Sequence, residues 1–294
     1  MINWQVVSEQ IERATEQDFL IASVQPVHGG DINSCYRLQS LDTTYFVKLN
    51  RAGMVSMFEA EAAGLQEMAK TRTLRVPDAI VCGTVADSSF LVLEHIEFGT
   101  TSQISDRLLG RQLAQMHNPR QPYFGWRRDN TIGSTPQPND QNTDWPSFWR
   151  NQRLGFQLQL AANRGYCGKL QSKGERLCSA MAALFDDYQP YPSLLHGDLW
   201  GGNASVDRNG NPVIYDPACY YGDREADLAM TELFGGFGAD FYAAYREEWP
   251  LDTGYSVRKV FYNLYHILNH LNLFGAGYLG QAESMIDRIL SELL

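Results

Sequence analysis

Apolar residues recur at helical spacing near the start of the chain. Trp4, Val7, Ile11 and Ala14 fall on one face, which predicts a short helix within residues 3–20. The pattern then changes to short apolar runs at 21–27, 35–39 and 45–49, the first two joined by HGGDIN. Strand-like runs on either side of paired glycines read as a hairpin. Helical spacing returns over 55–70, with Phe58, Ala62, Leu65 and Met68 on one face, and Pro77 closes the connection to two more strand-like runs, 79–85 and 89–96. Residues 1–97 therefore predict a five-stranded antiparallel sheet with one inserted helix.

The second part is mainly helical. Leu108, Leu109, Leu113 and Met116 mark a helix over 105–117, and further helices are predicted at 147–164, 170–188, 226–234, 239–249, 257–274 and 278–294. Two polar segments interrupt them. Residues 118–146 are rich in Pro, Asn, Asp and Gly, and a loop of that length is expected to be functional or mobile. Residues 196–225 hold two short strand-like runs, 204–206 and 213–215. The expected fold class is α+β in two lobes: a small sheet lobe over 1–97 that binds nucleotide, and a larger helical lobe over 98–294 that carries catalysis and substrate.

Composition narrows the function classes. Lys plus Arg is 24 and Asp plus Glu is 34, giving a net charge of −10, the wrong sign for a nucleic-acid protein. The 44 % apolar and 12 % aromatic shares supply an ordinary globular core. No run is long and apolar enough for a membrane span, and the polar N-terminal stretch lacks the pattern of a secretory signal. Five scattered cysteines without a CxxC pair indicate a reduced, cytoplasmic protein. A monomer is expected.

The chemistry concentrates in LLHGDLWGGN (residues 194–203). Asp198 precedes Asn203 by five positions, the offset of the protein-kinase catalytic loop. The carboxylate must reach the attacking hydroxyl, while the amide turns back to offer an oxygen to Mg²⁺. Asp216 follows an apolar strand thirteen residues later and offers a second hard oxygen ligand. A polar turn with a helix-capping Asp is the plain alternative for each element alone; the ordered set argues against it. Lys48, in YFVKLN, alternates with apolar neighbours on a strand, as does the lysine that grips nucleotide phosphates in kinases. Its helix partner is Glu59 or Glu61, which point about 200° apart; Glu61 shares the face of Leu65 and Met68 and is preferred. Gly29 and Gly30 give a turn whose N–H groups can cradle phosphate, although paired glycines in a hairpin are more often just a turn. The strand LVLEHIE ends where adenine would meet backbone, at the C=O of Glu94 and the N–H of Ile96. His196 is read as a loop brace, Asp227 as an anchor for that loop, and His266 and His270 as packing residues in preference to a metal pair. Trp200, inside the loop, is the ring expected to stack on a sugar.

Beyond these elements the chain resembles the fructosamine kinase (ketosamine-3-kinase) family. The likeness rests on GGDIN, FVKLN, FEAEAAGL, TPQPN, DWPSFWRNQRL, HGDLWGGN, DPACYYGDREADLAM and LYHILNHLNLFG, spread over residues 10–290. HGD alone marks only the wider aminoglycoside-phosphotransferase and choline-kinase superfamily; the tryptophan of HGDLW and the DPACYYGDREADLA run narrow it. The resemblance implies a protein-kinase-like bilobal fold, ATP with Mg²⁺, and phosphorylation of the 3-hydroxyl of a ketosamine, free or protein-bound, which releases the sugar and restores the amine. It carries over Asp198 as base, Asn203 and Asp216 as metal ligands, Lys48 with Glu61 as the phosphate-gripping pair and Trp200 as a substrate-contacting ring. Two alternatives stay open: another small-molecule kinase of the same superfamily, and a silent nucleotide-binding module.

Overall fold

The structure is a computed structural model that describes residues 2–27 and 32–293. Asn3 caps helix α1 (Trp4–Thr15) by accepting from the Gln5 N–H at 3.1 Å, and Glu16, in the left-handed region at φ 56°, ends it. Strands β1 (Ser23–Val27), β2 (Ser34–Gln39) and β3 (Thr44–Arg51) follow, then helix α2 (Val55–Ala69), then β4 (Ala79–Val85) and β5 (Ser88–Glu94). They form one antiparallel sheet in the order β1-β2-β3-β5-β4, with α2 inserted between β3 and β4.

The pleat of this sheet decides where Lys48 points. Val47, Phe90 and Val92 pack against Val7 and Ile11 of α1. Leu91 and Leu93, on the opposite face, pack with Phe58, Leu65 and Met68 of α2. Lys48 pairs with Leu91 and so lies on the α2 face. The apolar core on that side runs on without a break into the helical lobe, through Leu113, Phe148, Leu195, Ile214 and Leu268.

The second lobe opens with α3 (Gln103–His117), whose N-terminus carries a reciprocal cap between Ser102 and Ser105 at 3.2 and 2.8 Å. It continues with the hairpin β6 (Asn130–Ile132) and β7 (Thr135–Gln137), helices α4 (Trp145–Trp149), α5 (Gly155–Asn163) and α6 (Lys169–Ala180), and strand β8 (Ser193–Leu195). The hairpin β9 (Ala204–Val206) and β10 (Pro212–Ile214) comes next, then β11 (Tyr220–Gly222), α7 (Glu225–Thr231), α8 (Ala239–Glu248), α9 (Tyr255–Phe274) and α10 (Leu279–Glu292). A π-helical turn, Arg150–Leu154, joins α4 to α5. Among the described residues no helix is long and apolar enough to cross a membrane.

Three expectations need correction. Strand β5 stops at Glu94, so Ile96 lies two residues past it in the link between lobes. The pair β8 and β11 was not expected; three residues each, wholly buried, show no alternation to read. Residues 118–146 are polar yet fastened as a buttress. Asn130 and Gln137 donate to the carbonyls of Cys219 and Ala218 at 2.7 and 3.0 Å. The buried Arg153 guanidinium of the π-helical turn donates to Pro138 O and Asn139 Oδ1, both at 2.6 Å, and lies 4.1 Å from the Tyr220 ring centre. The segment therefore supports the strand that follows Asp216.

Candidate active site

Lys48 Nζ donates to Glu61 Oε1 at 2.6 Å and also to Asp216 Oδ1. Glu59 instead faces Arg128 at 3.2 Å near the surface. Burial pushes the Lys48 amine down, and the charges of Asp216 and Glu61 more than reverse this, so it stays protonated. One cation thus ties a sheet strand, the inserted helix and the carboxylate after β10, across a sequence separation of 168 residues.

The loop that carries Asp198 is built by backbone necessity. Gly197 has φ +83°, and a Cβ there would lie 2.1 Å from the Ala218 carbonyl oxygen, so only glycine fits. His196 is fully buried. Its Nε2 donates to the Tyr215 carbonyl at 2.9 Å, and its Nδ1 accepts from the Asp198 N–H at 3.3 Å. That pattern requires the neutral Nε2–H tautomer, and burial accordingly lowers its pKa. Beneath the loop, Asp227 accepts from the N–H groups of His196 and Gly197 at 2.7 and 2.8 Å and from His117 Nε2 at 3.2 Å. Tyr245 donates to His117 Nδ1 at 2.9 Å. His196 and Asp227 therefore brace and anchor the loop as expected, and His117 is a third support with no sequence signal beyond its place at the end of α3.

Asn203 Nδ2 donates to the Asp198 carbonyl at 2.9 Å, and the Asn203 carbonyl accepts from Tyr215 N–H at 3.0 Å. The next residue, Asp216, sits at φ 59°, an uncommon conformation for a residue with a Cβ, and its side chain is 46 % exposed. Asp198 is pushed up to about 7, chiefly by burial and then by the charges of Asp216 and Asp227. The amide oxygen of Asn203 and the Asp216 carboxylate are hard donors beside an excess of negative charge, a set that fits a divalent cation such as Mg²⁺.

At the other end of the cleft, Arg75 clasps the lobe junction. It donates to the Glu94 carboxylate at 2.5 Å and to Asp207, in the β9–β10 turn, at 2.6 Å. Asp207 is held down at about 2, first by the Asn211 side chain. The backbones of Glu94 and Ile96 lie on this junction. Gly29 and Gly30 lie outside the described residues.

Trp200 is 40 % exposed, and its ring meets Phe234 at 6.4 Å between centroids. Phe234 meets His270 at 4.9 Å, and His270 meets Phe274 at 5.4 Å, so an aromatic wall leads away from Asp198. His270 Nδ1 donates to the His266 carbonyl at 2.8 Å. His266 itself turns its Nδ1 toward Asp198 Oδ1, 4.0 Å away. Sequence reasoning read it as packing; the i, i+4 spacing put it on an inward helix face but could not say that this face meets the loop.

The Fructosamine kinase family profile matches residues 3–292. The chain belongs to the fructosamine kinase family. A Synechocystis protein named "Probable ketoamine kinase" is 49 % identical over 98 % of this chain and 97 % of that one. The chloroplastic protein-ribulosamine 3-kinase of Arabidopsis thaliana is 45 % identical over 93 % of this chain and 84 % of its own. A solved Haemophilus somnus chain, named as a candidate fructosamine-3-kinase, superposes with a TM-score of 0.90 at 31 % identity, covering 98 % of this chain and 97 % of that one. Aminoglycoside phosphotransferase APH(4)-Ia shares the fold alone, at a TM-score of 0.62 and 13 % identity. The family fold is thus the bilobal protein-kinase-like one, with the small sheet above and the helices below the site just described.

Proposed function

We propose that this fructosamine kinase family member transfers the terminal phosphoryl group of ATP to the 3-hydroxyl of a ketosamine. The observation that carries the reading is the Lys48 bridge: its ammonium joins Glu61 and Asp216, and Asp216 lies close enough to raise the carboxyl of Asp198, whose backbone Asn203 holds. Lys48 supplies the fixed positive charge for nucleotide phosphates, and Glu61 holds it in place. Gly29 and Gly30 are proposed to cover the phosphates with backbone N–H groups. Adenine is read against the Glu94 C=O and the Ile96 N–H. Asp198 holds the acceptor hydroxyl and takes its proton, and a base raised toward neutrality suits that task. Mg²⁺ bound by Asn203 and Asp216 would supply electrostatic stabilisation of the charge on the transferring group.

The acceptor side fits a sugar bearing an amine. Polar Asp198 and His266 lie at the inner end, and the half-open wall of Trp200, Phe234 and Phe274 leads outward. A sugar ring or chain can lie on Trp200, and a cationic amine gains from aromatic faces beyond it. The open end leaves room for whatever the amine carries, a small molecule or a protein side chain. Once phosphorylated at the carbon next to the carbonyl, the adduct can enolise toward C1 and expel phosphate from C3, and water then hydrolyses the imine left at C1 to free the amine and a 3-deoxy dicarbonyl sugar.

The test is an acceptor panel of fructosamine, ribulosamine, erythrulosamine, an aminoglycoside and choline. ADP release scores turnover, and the position of the new phosphate is mapped by ³¹P–¹H NMR. Transfer to the 3-hydroxyl of a ketosamine supports the reading. Turnover of only the aminoglycoside or choline, or nucleotide binding without any transfer, overturns it.

A further inference from the structure

His266 is a buried titratable group beside Asp198 that the mechanism above leaves unused. Its side chain is 5 % exposed, and its Nδ1 is buried without a hydrogen-bond partner among the described residues. Leaving a polar group buried and unpaired costs about 1–3 kcal/mol, and of the eleven such side-chain atoms among the described residues this one faces Asp198. The imidazole is held firmly, 5.3 Å from the Tyr265 ring in an edge-on arrangement and on a helix buried along most of its length. Its Nδ1 looks across 4.0 Å to Asp198 Oδ1, too far for a direct hydrogen bond. The two atoms face each other across that gap, beside the loop that carries Trp200.

We infer that His266 Nδ1 is a substrate contact, hydrogen-bonded to the 4-hydroxyl of the ketosamine while Asp198 holds the neighbouring 3-hydroxyl. The inference rests on the ketosamine reading above and adds the group that fixes the sugar's rotation in the site. Vicinal hydroxyls in a gauche arrangement lie closer together than the two protein atoms do, and each can turn toward one of them. Two oxygens flank the carbon that bears the attacking hydroxyl, the 2-carbonyl and the 4-hydroxyl. A hydroxyl both donates and accepts, so it satisfies Nδ1 in either tautomer, whereas the carbonyl satisfies only one. Burial and His270 hold the His266 imidazole down to about 3, so it meets the sugar as a neutral group and adds no charge to the site. Every ketosamine of four or more sugar carbons keeps this hydroxyl, so the contact selects the class without choosing chain length.

The experiment compares wild type, His266→Phe and His266→Asn on an N-substituted fructosamine and on its 4-deoxy analogue. Thermal stabilisation by MgADP checks that each variant folds. Wild type is expected to lose about 10–100-fold in kcat/KM on the 4-deoxy acceptor. His266→Phe is expected to lose a similar factor on the parent acceptor, with KM for the acceptor raised, and to lose nothing more on the 4-deoxy compound. His266→Asn, whose amide sits where Nδ1 does, is expected to recover most of the loss. Equal penalties for the missing hydroxyl in wild type and His266→Phe would overturn the inference, as would an unchanged acceptor KM. If His266→Phe does not fold, a His266→Asn variant with full discrimination beside a His266→Gln variant with none carries the same decision. Should the wild type phosphorylate no fructosamine at all, the ketosamine reading falls and takes the contact with it. Wild-type turnover with additive penalties removes the contact alone.

Discussion

Asp227→Asn tests whether the catalytic loop is held by one buried charge. The side chain is 1 % exposed and accepts from His196 N–H, Gly197 N–H and His117 Nε2. Burial pushes its carboxyl up, and the His117 hydrogen bond, the nearby imidazoles and the Gly197 N–H outweigh that and hold it below the ordinary 3.8. Asparagine keeps the shape but presents an NH₂ to one of these donors. One charge-assisted bond is lost and one donor faces a donor, which costs about 2–4 kcal/mol in stability. The loop that loses its seat carries Asp198, and a displacement near 1 Å costs about 100-fold in rate. The assays are urea unfolding and steady-state kinetics on wild type and variant from pH 8 to pH 3. A carboxyl depressed in the folded state contributes stability that is complete above its unfolded value and fades as pH falls through its folded one. The gap between the two proteins should therefore hold from pH 8 to about 5 and close only below 3.8. A gap under about 0.5 kcal/mol with kcat intact would refute the reasoning. So would a gap that closes between pH 7 and 5, because Asp227 would then not be ionised in the folded protein.

Three further outcomes follow from the same geometry. Gly197→Ala forces a methyl to 2.1 Å from the Ala218 carbonyl oxygen at a φ that disfavours it, so Tm should fall by several degrees and turnover should vanish; retention of either measures the loop as pliable. Asp198→Asn should lower kcat by about 100- to 10,000-fold with KM for ATP little changed, read by coupled ADP release, since the base and not the nucleotide contact is removed. His266 and His196 are buried neutral with lowered pKa values, so the unfolded chain takes their protons first. Stability should be complete above pH 6.5 and decline below it, and His266, at about 3, accounts for about 2 kcal/mol of that loss by pH 5. Urea unfolding of His266→Asn should show a shallower slope across that window, and an identical slope would remove this histidine from the account.

What could be read before the structure had a local physical cause. The alternation around Lys48 fixes the face it occupies because a strand has period two, and the 200° between Glu59 and Glu61 fixes which glutamate meets it. The HGD spacing survives because Gly197 has no substitute at its φ. The parts that stayed hidden depend on contacts between distant segments. Residues 118–146 carry no period, and their order comes from Asn130, Gln137 and Arg153 reaching backbone carbonyls elsewhere in the lobe. The strand pair β8 and β11 is too short and too buried to alternate. His266 looks like any polar residue on a buried helix until α9 is laid beside the loop, when its bare nitrogen turns out to face Asp198.

The site's charges are arranged for a ligand and against the empty protein, and Asp216 is where that opposition can be measured. Lys48 sets one positive charge against the carboxylates of Glu61 and Asp216, and Asp198 and Asp227 add to the negative side of the same region. Asp216 is among the groups that raise the Asp198 carboxyl, and its own backbone sits at φ 59°. Its ion pair with Lys48 is half-open to solvent on the carboxylate side, so screening leaves it worth little, and Lys48 keeps Glu61 when it is gone. Asparagine tolerates the left-handed region better than most residues and carries no charge to repel Asp198. Asp216→Asn should therefore leave the empty protein as stable or more stable by about 1 kcal/mol, while turnover falls by several orders of magnitude and Asp198 titrates closer to an ordinary carboxylate. The measurements are thermal unfolding without nucleotide and with MgADP, where the stabilisation that wild type gains should be largely lost in the variant. A variant that is less stable when empty by 2 kcal/mol or more would mean that the Lys48–Asp216 bridge is a structural strut. The lobes would then be held together by the same groups that the reaction has to release, and the cleft could not be treated as a site prepared for its cation.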